Sequence, residues 1–391
     1  MSTAILIILD GLGVGGAPDA DAYGDLGSDT LGNMSVKMGG INVPTLASLG
    51  LGNLSKIENV TPSDSPRGSF GRLEEISCGK DSTTGHWELM GVHTDVAFPT
   101  YPNGFPDDLI SEFTLRTGYG VIGNKTASGT GILDELGDKH LETGDLIVYT
   151  SADSVLQIAA HEDVCNLEEL YRVCDIARKL LVAPHNVGRV IARPFNGKSG
   201  EYERTPYRKD YSVNPPTSMI LPALSDSGVY IESIGKIYDL YNGFGIVKTH
   251  ASKSNAEGME NLTNLYNQKH DDDRLILLNL VDFDMLWGHR NDPKGMKEGL
   301  EVFDKWLADF IEQMDNGDLL MMTADHGNDP TMPGNDHSRE HVPIIAYLAG
   351  EDSGSDLGTR NGFMDVGATL VEYFGRDIEC LGESFYSQLK N

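Results

Sequence analysis

Four short, unbroken apolar segments constrain the fold of this chain more than any other feature. They lie at 4–9 (AILIIL), 275–281 (LILLNLV), 318–322 (DLLMM) and 343–348 (PIIAYL). Runs of this length and composition are typical of strands that are buried on both faces. The pattern between them indicates helices, with apolar residues on one face over 297–314 and a further helix over 363–374. Buried strands that alternate with helices predict an α/β fold, in which a mostly parallel sheet is flanked by helices.

Two proline-rich segments interrupt this pattern in the middle of the chain. The first, 98–106, has the sequence FPTYPNGFP, and the second, 212–217, has the sequence SVNPPT. Such segments are typical of linkers. Between them the pattern predicts two strands and a helix, at 145–150, 187–192 and 166–181. The sequence therefore predicts a smaller α+β cap domain over 99–216, inserted into a discontinuous core formed by 1–98 and 217–391.

The net charge of the chain disfavours some classes of binding partner. The formal net charge is −29 over 391 residues, which disfavours nucleic acid and anionic membrane surfaces. The four cysteines are scattered without CxxC pairing, so neither a disulfide framework nor a zinc knuckle is expected, and a reducing cytoplasm fits. The N-terminus lacks the basic start of a signal peptide, and no apolar run approaches the roughly 20 residues of a membrane helix.

Aspartates and histidines cluster just beyond the ends of the apolar segments. They are Asp10, Asp284, His289, Asp325, His326 and His337. Ligands of open α/β sheets bind beyond the carboxyl ends of the strands, so these side chains are expected to converge there. Three carboxylates and three imidazoles exceed one tetrahedral site and suit two adjacent divalent cations. The alternative is that each residue only caps a helix or stabilises a turn.

A run of hydroxyl residues offers a nucleophile. The segment 79–91, GKDSTTGHWELMG, places Thr84 directly before Gly85, where a sharp turn of the backbone would expose the hydroxyl. A hydroxyl of this kind is a weak nucleophile until a base or a metal activates it. Taken alone, the segment is better explained as the N-terminal cap of a helix that contains Trp87 and Glu88.

The glycines after the first apolar segment match a dinucleotide-binding pattern. Gly11, Gly13 and Gly16 fit GxGxxG, but that fingerprint must open a helix at once, and here Pro18 and small polar residues follow. Asp10 would also repel a pyrophosphate. We therefore interpret the glycines as giving clearance around the proposed metals.

Taken together, these motifs resemble the phosphopentomutase family of the alkaline phosphatase superfamily over nearly the whole chain. The matching segments are LDGLGVGGAPDADAYGDLGSDTLGN (9–33), GKDSTTGHWELMG (79–91), YTSADSVLQIAAHE (149–162), IARPFNG (191–197), DFDMLWGHR (282–290) and TADHGNDPTMPGNDHSREHVPI (323–344). The DG and ADHG elements are common to the superfamily, whereas TGHWE and the middle domain indicate the pentomutase branch. The chain departs from the family at Ser82 and Thr83, where members vary.

The resemblance implies a role for each candidate residue. Thr84 matches the nucleophile that becomes phosphorylated, with its oxygen between two metals. One metal would be held by Asp284, His289 and His337, and the other by Asp10, Asp325 and His326. The family uses two Mn²⁺, although the same ligands would also accept Zn²⁺. A sugar bisphosphate, glucose 1,6-bisphosphate or ribose 1,5-bisphosphate, would prime the nucleophile.

In the inserted domain the resemblance points to contacts with the sugar phosphate. The candidates are Ser151, Asp153, Arg193 and Arg208. Arginine suits phosphate because its guanidinium donates two parallel hydrogen bonds. The alternative for either arginine is an ordinary surface ion pair.

The implied activity is that of an isomerase. It would interconvert ribose 1-phosphate and ribose 5-phosphate, and the 2-deoxy forms, through a phosphothreonine and a bisphosphate intermediate. The inserted domain would close as a lid that keeps water from accepting the phosphoryl group. A phosphatase or phosphodiesterase of the same superfamily would share every ligand, and a noncatalytic metal-binding protein is a further alternative. The sequence leaves the oligomeric state open and is compatible with a monomer.

Overall fold

Strands and helices alternate along most of the chain. The structure is a computed structural model that describes residues 2–151 and 153–390. The strands are β1 Thr3–Leu9, β2 Ser69–Glu74, β3 Val121–Thr126, β4 Leu146–Thr150, β5 Val155–His161, β6 Arg189–Asn196, β7 Glu203–Arg204, β8 Lys209–Ser212, β9 Tyr230–Ile234, β10 Lys248–His250, β11 Arg274–Leu280, β12 Leu319–Thr323, β13 Val342–Leu348 and β14 Asp356–Asn361. The four strands predicted from apolar segments are therefore present, as β1, β11, β12 and β13.

The helices include both of those predicted near the C-terminus. They are α1 Thr30–Lys37, α2 Pro44–Ser48, α3 Ser82–Leu89, α4 Asp107–Thr117, α5 Gly131–Thr143, α6 Leu167–Leu180, α7 Ile220–Asp226, α8 Ile237–Leu240, α9 Asn255–Tyr266, α10 Pro293–Ile311 and α11 Met364–Tyr373. Short 3₁₀ turns lie at Ala20–Tyr23, Leu51–Asn53 and Tyr386–Leu389, and one π-helical segment spans Phe283–Gly288. None of the helices in the described part of the chain has the length and apolar character needed to cross a membrane.

The chain divides into two compact units. The larger comprises Met1–Val96 and Pro215–Asn391, and the smaller comprises Ala97–Asn214. Each unit has a sheet of its own and its own set of helices.

The larger unit is built on an eight-stranded sheet of order β10-β9-β11-β1-β12-β13-β2-β14. The strands from β10 to β12 are parallel, as predicted. β13 departs from this pattern because it runs antiparallel to both β12 and β2. The start of β13 therefore lies beside the end of β12, so the connecting segment 324–341 begins and ends at the same edge of the sheet.

The central strands end level with one another. Ile8 pairs with Asn279 on one side and with Thr323 on the other, so β1, β11 and β12 terminate at nearly the same height. All residues of β11 and β12, and residues 4–9 of β1, are buried. This burial on both faces explains the unbroken apolar segments, and it brings the residues that follow the three strands to one place.

Local signals set the start of the long helix α10. Pro293 occupies its first position, and the Asp292 side chain accepts a hydrogen bond from the Gly295 amide. A capping aspartate followed by proline is a favoured helix start, because both deal with amides that have no partner inside the helix. The helix is amphipathic, and its buried face includes Leu300, Phe303 and Leu307.

The smaller unit contains a mixed sheet of order β3-β4-β5-β6-β7, with β8 paired to β6. The predicted strands at 145–150 and 187–192 and the helix at 166–181 correspond to β4, β6 and α6. One apolar cluster joins the sheet to α4 and α6, and a second cluster joins its other face to α5. The unit is therefore an α+β structure, as predicted.

Glu88 provides a test of how firmly α3 is anchored. It is fully buried, and its carboxylate accepts hydrogen bonds from the amides of Ile76, Ser77 and Phe363 at 3.1, 2.7 and 2.8 Å. Glu88→Ala leaves these three donors without their acceptor, so we expect the free energy of unfolding to fall by about 3 kcal/mol or more. Urea denaturation measures this change. The exposed Glu372→Ala in α11 is the control, and equal midpoints for both variants would contradict the anchoring role.

Candidate metal centre

Asp81 determines where helix α3 begins. Its Oδ1 accepts hydrogen bonds from the Thr83 and Thr84 amides at 3.0 and 3.1 Å, which is the geometry of an N-terminal cap. Its Oδ2 accepts the Thr84 hydroxyl proton at 2.6 Å. Thr84 is fully buried, so its hydroxyl is engaged within the cap.

Ser82, the first residue of α3, has a different environment. Its Oγ lies 3.2 Å from His326 Nε2 and accepts a hydrogen bond from Lys236 Nζ at 3.1 Å. The structure therefore brings the Ser82 hydroxyl to a predicted metal ligand. The assignment of Thr84 as nucleophile stays a prediction, whereas this geometry favours Ser82.

The six predicted ligands converge at the carboxyl edge of the large sheet. Two groups of donor atoms lie within 4.8 Å of one another: Asp284 with His326 and His337, and Asp10 with Asp325 and His326. His289 is close to the first group, because its Nε2 lies 3.2 Å from Asp284 Oδ2 and 3.3 Å from His337 Nε2. His326 therefore stands between the two groups.

Each of the three imidazoles is held in one tautomer. Nδ1 of His289, His326 and His337 faces a backbone carbonyl oxygen, of Asn335, Gly327 and Lys80, at 2.6, 3.1 and 2.9 Å. An oxygen acceptor there requires a proton on Nδ1. The Nε2 atoms therefore face the carboxylates, and in the neutral ring they carry the lone pair. Backbone carbonyls commonly orient metal-binding histidines in this way.

The donor spacing fits a divalent cation. His326 Nε2 lies 3.5 Å from Asp10 Oδ1 and 3.4 Å from Asp325 Oδ2, and His337 Nε2 lies 3.4 Å from Asp284 Oδ1. Ligands at roughly 2.0–2.1 Å from a tetrahedral ion lie roughly 3.3–3.4 Å apart. Asp10 Oδ1 is also buried and accepts no hydrogen bond from any residue in 2–151 or 153–390. A buried carboxylate oxygen without a hydrogen-bond donor would be stabilised by a bound cation.

Burial and neighbouring charges shift the pKa values of these groups in opposite directions. Burial, reinforced by Asp325, raises the pKa of Asp10 well above its usual value. Burial alone would also raise the pKa of Asp284, but His337 and His289 hold it well below that value. Burial lowers the pKa of His326 to about 3. His326 is therefore neutral near pH 7, the state in which imidazole binds a metal.

Sequence reasoning missed two polar residues at the centre. Lys236 Nζ lies 2.5 Å from Asp10 Oδ2, and Asn328 Nδ2 donates to Asp284 Oδ1 at 2.7 Å. Lys236 follows the end of β9 by two residues. Like the six predicted ligands, it therefore lies just beyond the end of an apolar segment. Glu232 interrupts the apolar pattern of β9, which weakened the strand signal from which Lys236 could have been found.

The glycine-rich segment does not form a dinucleotide-binding turn. The chain continues from it into the 3₁₀ turn at Ala20–Tyr23 rather than into a helix. Gly11 has φ +75°, and a Cβ there would lie 3.0 Å from Asn328 Cβ and 3.5 Å from Asp284 Cβ. Glycine thus gives clearance beside a predicted ligand, as expected.

The four residues predicted to meet a sugar phosphate lie in the smaller unit. Arg193 Nε donates to Gln157 Oε1 at 3.1 Å, and burial, followed by the charge of Arg208, lowers the pKa of Arg193 to about 10. Arg208 donates to both carboxylate oxygens of Asp210 at 2.6 Å. The other two, Ser151 and Asp153, follow the end of β4.

Arg189, which the sequence analysis did not single out, joins this group. Its guanidinium lies 3.9 Å from Asp153 Oδ2 and 3.6 Å from Asp210 Oδ2. The pairing of β6 with β5 and β8 puts Arg189, Arg193 and Asp210 on one face of the sheet. This arginine-rich face is therefore partly neutralised by aspartates.

Comparisons with known proteins agree with this architecture. The sequence profile of the metalloenzyme superfamily matches residues 2–378. A phosphopentomutase from Clostridium novyi is 50% identical over 391 residues, which cover 100% of this chain and 99% of that protein. A phosphopentomutase from Desulfitobacterium hafniense is 48% identical over 389 residues and covers both chains completely. The solved structure of a protein from Pyrococcus horikoshii has a TM-score of 0.50 and 16% identity, covering 97% of this chain and 99% of that one, which shows a shared fold.

Replacing one histidine should separate the two groups of ligands. His337→Ala removes a donor that lies near Asp284 and leaves Asp10 and Asp325 in place. We expect one bound ion to be weakened by roughly tenfold or more, since altering even the partners of a metal ligand lowers affinity by roughly 10- to 100-fold. Equilibrium dialysis against Mn²⁺, with metal analysis per chain, measures this. His93→Ala, on a more exposed histidine, is the control, and unchanged stoichiometry and affinity in His337→Ala would remove it from the ligand set.

Proposed function

This chain belongs to the phosphopentomutase family of the metalloenzyme superfamily, and on that premise we propose that it moves a phosphoryl group between O1 and O5 of ribose phosphate and of 2-deoxyribose phosphate. The chain is thus an isomerase. One observation supports the proposal above all. A serine hydroxyl at the start of α3 lies beside a cluster of carboxylates and imidazoles that fits divalent cations.

We propose that the cluster holds two ions, and that they are Mn²⁺ as the family resemblance implies. Asp284, His289 and His337 would bind one, and Asp10, Asp325 and His326 the other. Bound divalent cations lower the pKa of a neighbouring hydroxyl and neutralise phosphoryl oxygens during transfer. The protein contributes the fixed tautomers of the imidazoles and the buried position of the carboxylates.

Two hydroxyls compete for the role of nucleophile. The family resemblance favours Thr84, but its proton is donated to Asp81, whereas Ser82 lies against His326 and Lys236. We propose that Ser82 carries the phosphoryl group in this chain. Serine and threonine offer the same chemistry, so a serine can serve where the position faces the metals.

The proposed cycle uses the same hydroxyl twice. Phosphorylated Ser82 gives its phosphoryl group to the free hydroxyl of the bound monophosphate. The bond from phosphorus to Ser82 Oγ breaks, a bond to the sugar oxygen forms, and the proton released by the sugar hydroxyl is taken up by Ser82 Oγ. The resulting bisphosphate returns its other phosphoryl group to Ser82, which releases the isomer. A sugar bisphosphate, glucose 1,6-bisphosphate or ribose 1,5-bisphosphate, would supply the first phosphoryl group.

Lys236 supplies a positive charge next to Ser82. Burial would lower the pKa of Lys236, but the carboxylates of Asp10 and Asp325 raise it above its usual value. The ammonium group therefore stays charged near neutral pH and donates to Ser82 Oγ. A fixed charge at this position favours a negatively charged oxygen or phosphoryl group on Ser82.

The arginine-rich face of the smaller unit suits a phosphate group of a sugar phosphate. We propose that Arg193 and Arg208 bind it, with Ser151 and Asp153 meeting the sugar hydroxyls. Arg208 already makes a bidentate contact with the carboxylate of Asp210. The same fork geometry fits a phosphate.

Separate substitutions of the two hydroxyl residues test the nucleophile. Ser82→Ala should lower the transfer rate by roughly 10³-fold or more, because it removes the atom that becomes phosphorylated. Thr84→Val should mainly weaken the Asp81 cap, at about 1 kcal/mol of stability, and keep most of the transfer rate. Phosphoenzyme formed with labelled glucose 1,6-bisphosphate, mapped by mass spectrometry, identifies the site. Label on Thr84, with transfer retained in Ser82→Ala, would restore the threonine assignment.

An assay of both products distinguishes a mutase from a hydrolase that uses the same ligands. Purified protein with Mn²⁺ and a trace of glucose 1,6-bisphosphate is mixed with ribose 1-phosphate, and ribose 5-phosphate and free phosphate are followed together. We expect ribose 5-phosphate without an equal release of phosphate. Release of phosphate alone would mean that water is the acceptor, and the protein would then be a phosphatase.

A further inference from the structure

The helix that carries Ser82 lies against the backbone of Asp325, two residues beyond the end of β12. A Cβ on Gly85 would lie 1.8 Å from the Asp325 carbonyl oxygen, so only glycine lets the two backbones approach this closely. The next residue, His86, is fully buried at this contact. The function proposed above gives no role to His86, yet His86 reaches both the helix start and a predicted metal ligand.

The Nδ1 atom of His86 faces two acceptors. It lies 2.8 Å from the carbonyl oxygen of Ser82 and 3.1 Å from Asp325 Oδ2. Because both neighbours are oxygens that can only accept, Nδ1 carries the proton of the ring. One N–H group therefore lies between the residue with the proposed nucleophile and a carboxylate of the proposed metal site.

Other contacts fix the orientation of the imidazole. Its Nε2 faces the amide nitrogen of Asn279 at 3.5 Å, which is a donor, so the lone pair of the ring points there. The hydroxyl of Tyr241 donates to the His86 carbonyl oxygen at 2.8 Å, and its ring meets the imidazole edge-on at a centroid distance of 6.0 Å. The ring is thus held in one orientation and one tautomer.

The second oxygen of Asp325 is engaged elsewhere. Asp325 Oδ1 accepts a hydrogen bond from the Gly11 amide at 3.2 Å, while Oδ2 lies between His86 Nδ1 and His326 Nε2 at 3.1 and 3.4 Å. His86 is thus one of two imidazoles that lie against Asp325 Oδ2, and it is the one carried by the same helix as Ser82. The hydrogen bond to the Ser82 carbonyl ties the first turn of α3 to the same group.

We propose that His86 is a positioning residue for phosphoryl transfer, which aligns the Asp325 carboxylate with the Ser82 hydroxyl through its single Nδ1–H group. The inference rests on the metal site and nucleophile proposed above. It predicts that the Nδ1 donor is required, and that the imidazole can be replaced by a side chain that supplies a donor at the same point.

Two substitutions of His86 by amide residues test which nitrogen of the imidazole ring is required. His86→Asn places an amide nitrogen near the position of Nδ1, whereas His86→Gln places it near Nε2. We expect His86→Gln to lose roughly 10- to 100-fold in Mn²⁺ affinity, as is usual when a partner of a metal ligand is removed. Its kcat should fall by a similar factor with KM for ribose 1-phosphate nearly constant, and His86→Asn should recover most of both losses.

A buried histidine elsewhere provides the matched control. His140 is fully buried in the smaller unit, its Nδ1 lies 2.6 Å from the Asp145 carbonyl oxygen, and its Nε2 accepts the His161 amide at 2.8 Å. His140→Gln should lower the thermal unfolding temperature of the metal-free protein without changing Mn²⁺ affinity. Comparing the three variants separates loss of positioning from loss of stability.

Isothermal titration of metal-free protein with Mn²⁺, together with steady-state kinetics, gives both measurements. Equal Mn²⁺ affinity in wild type and His86→Gln would overturn the inference, as would equal losses in His86→Asn and His86→Gln. If His86→Gln does not fold, ¹⁵N NMR of the metal-free wild type is the second test, and a proton on Nε2 rather than Nδ1 of His86 overturns the inference. Failure of the underlying metal site is distinguishable, because wild type itself would then bind no Mn²⁺.

Discussion

Three carboxylates buried at one edge of a sheet are the constraint on which the rest of this structure depends. Asp10, Asp284 and Asp325 lie together, and Lys236 contacts Asp10 and feels the charges of the other two. Uncompensated burial of several like charges is strongly unfavourable. Divalent cations would remove that penalty, and the surrounding imidazoles, each oriented by a backbone carbonyl, are placed to share in binding them. Binding of a cation at this site would therefore raise the stability of the larger unit.

Helix α3 is held in a fixed position beside these carboxylates. Its start is capped by Asp81, its middle lies against Asp325 through Gly85, and its end is anchored by Glu88. These contacts come from three different parts of the larger unit. A helix held at so many points keeps the Ser82 hydroxyl at a fixed place beside His326, and fixed positioning is what phosphoryl transfer would require, because positioning supplies much of its rate.

The two units carry polar side chains of different chemistry. The larger unit gathers carboxylates and imidazoles for cations, and the smaller unit presents arginines on one face of its sheet. Those arginines already contact aspartates such as Asp210. An anionic ligand would exchange one set of charge-assisted hydrogen bonds for another, so selectivity depends on geometry more than on net charge. The net charge of −29 is thus compatible with an anionic substrate.

The sequence by itself determined the four central strands and the six clustered Asp and His residues, because burial on both faces leaves a continuous apolar run and parallel strands end at a common edge. It did not determine the direction of β13, the contact of Ser82 with His326, or the places of Lys236 and His86. Those depend on contacts between residues far apart in the chain, which no local pattern records. Neighbouring hydroxyls in one helical turn look alike in sequence, and only the capping of α3 by Asp81 leaves Ser82 rather than Thr84 in contact with His326.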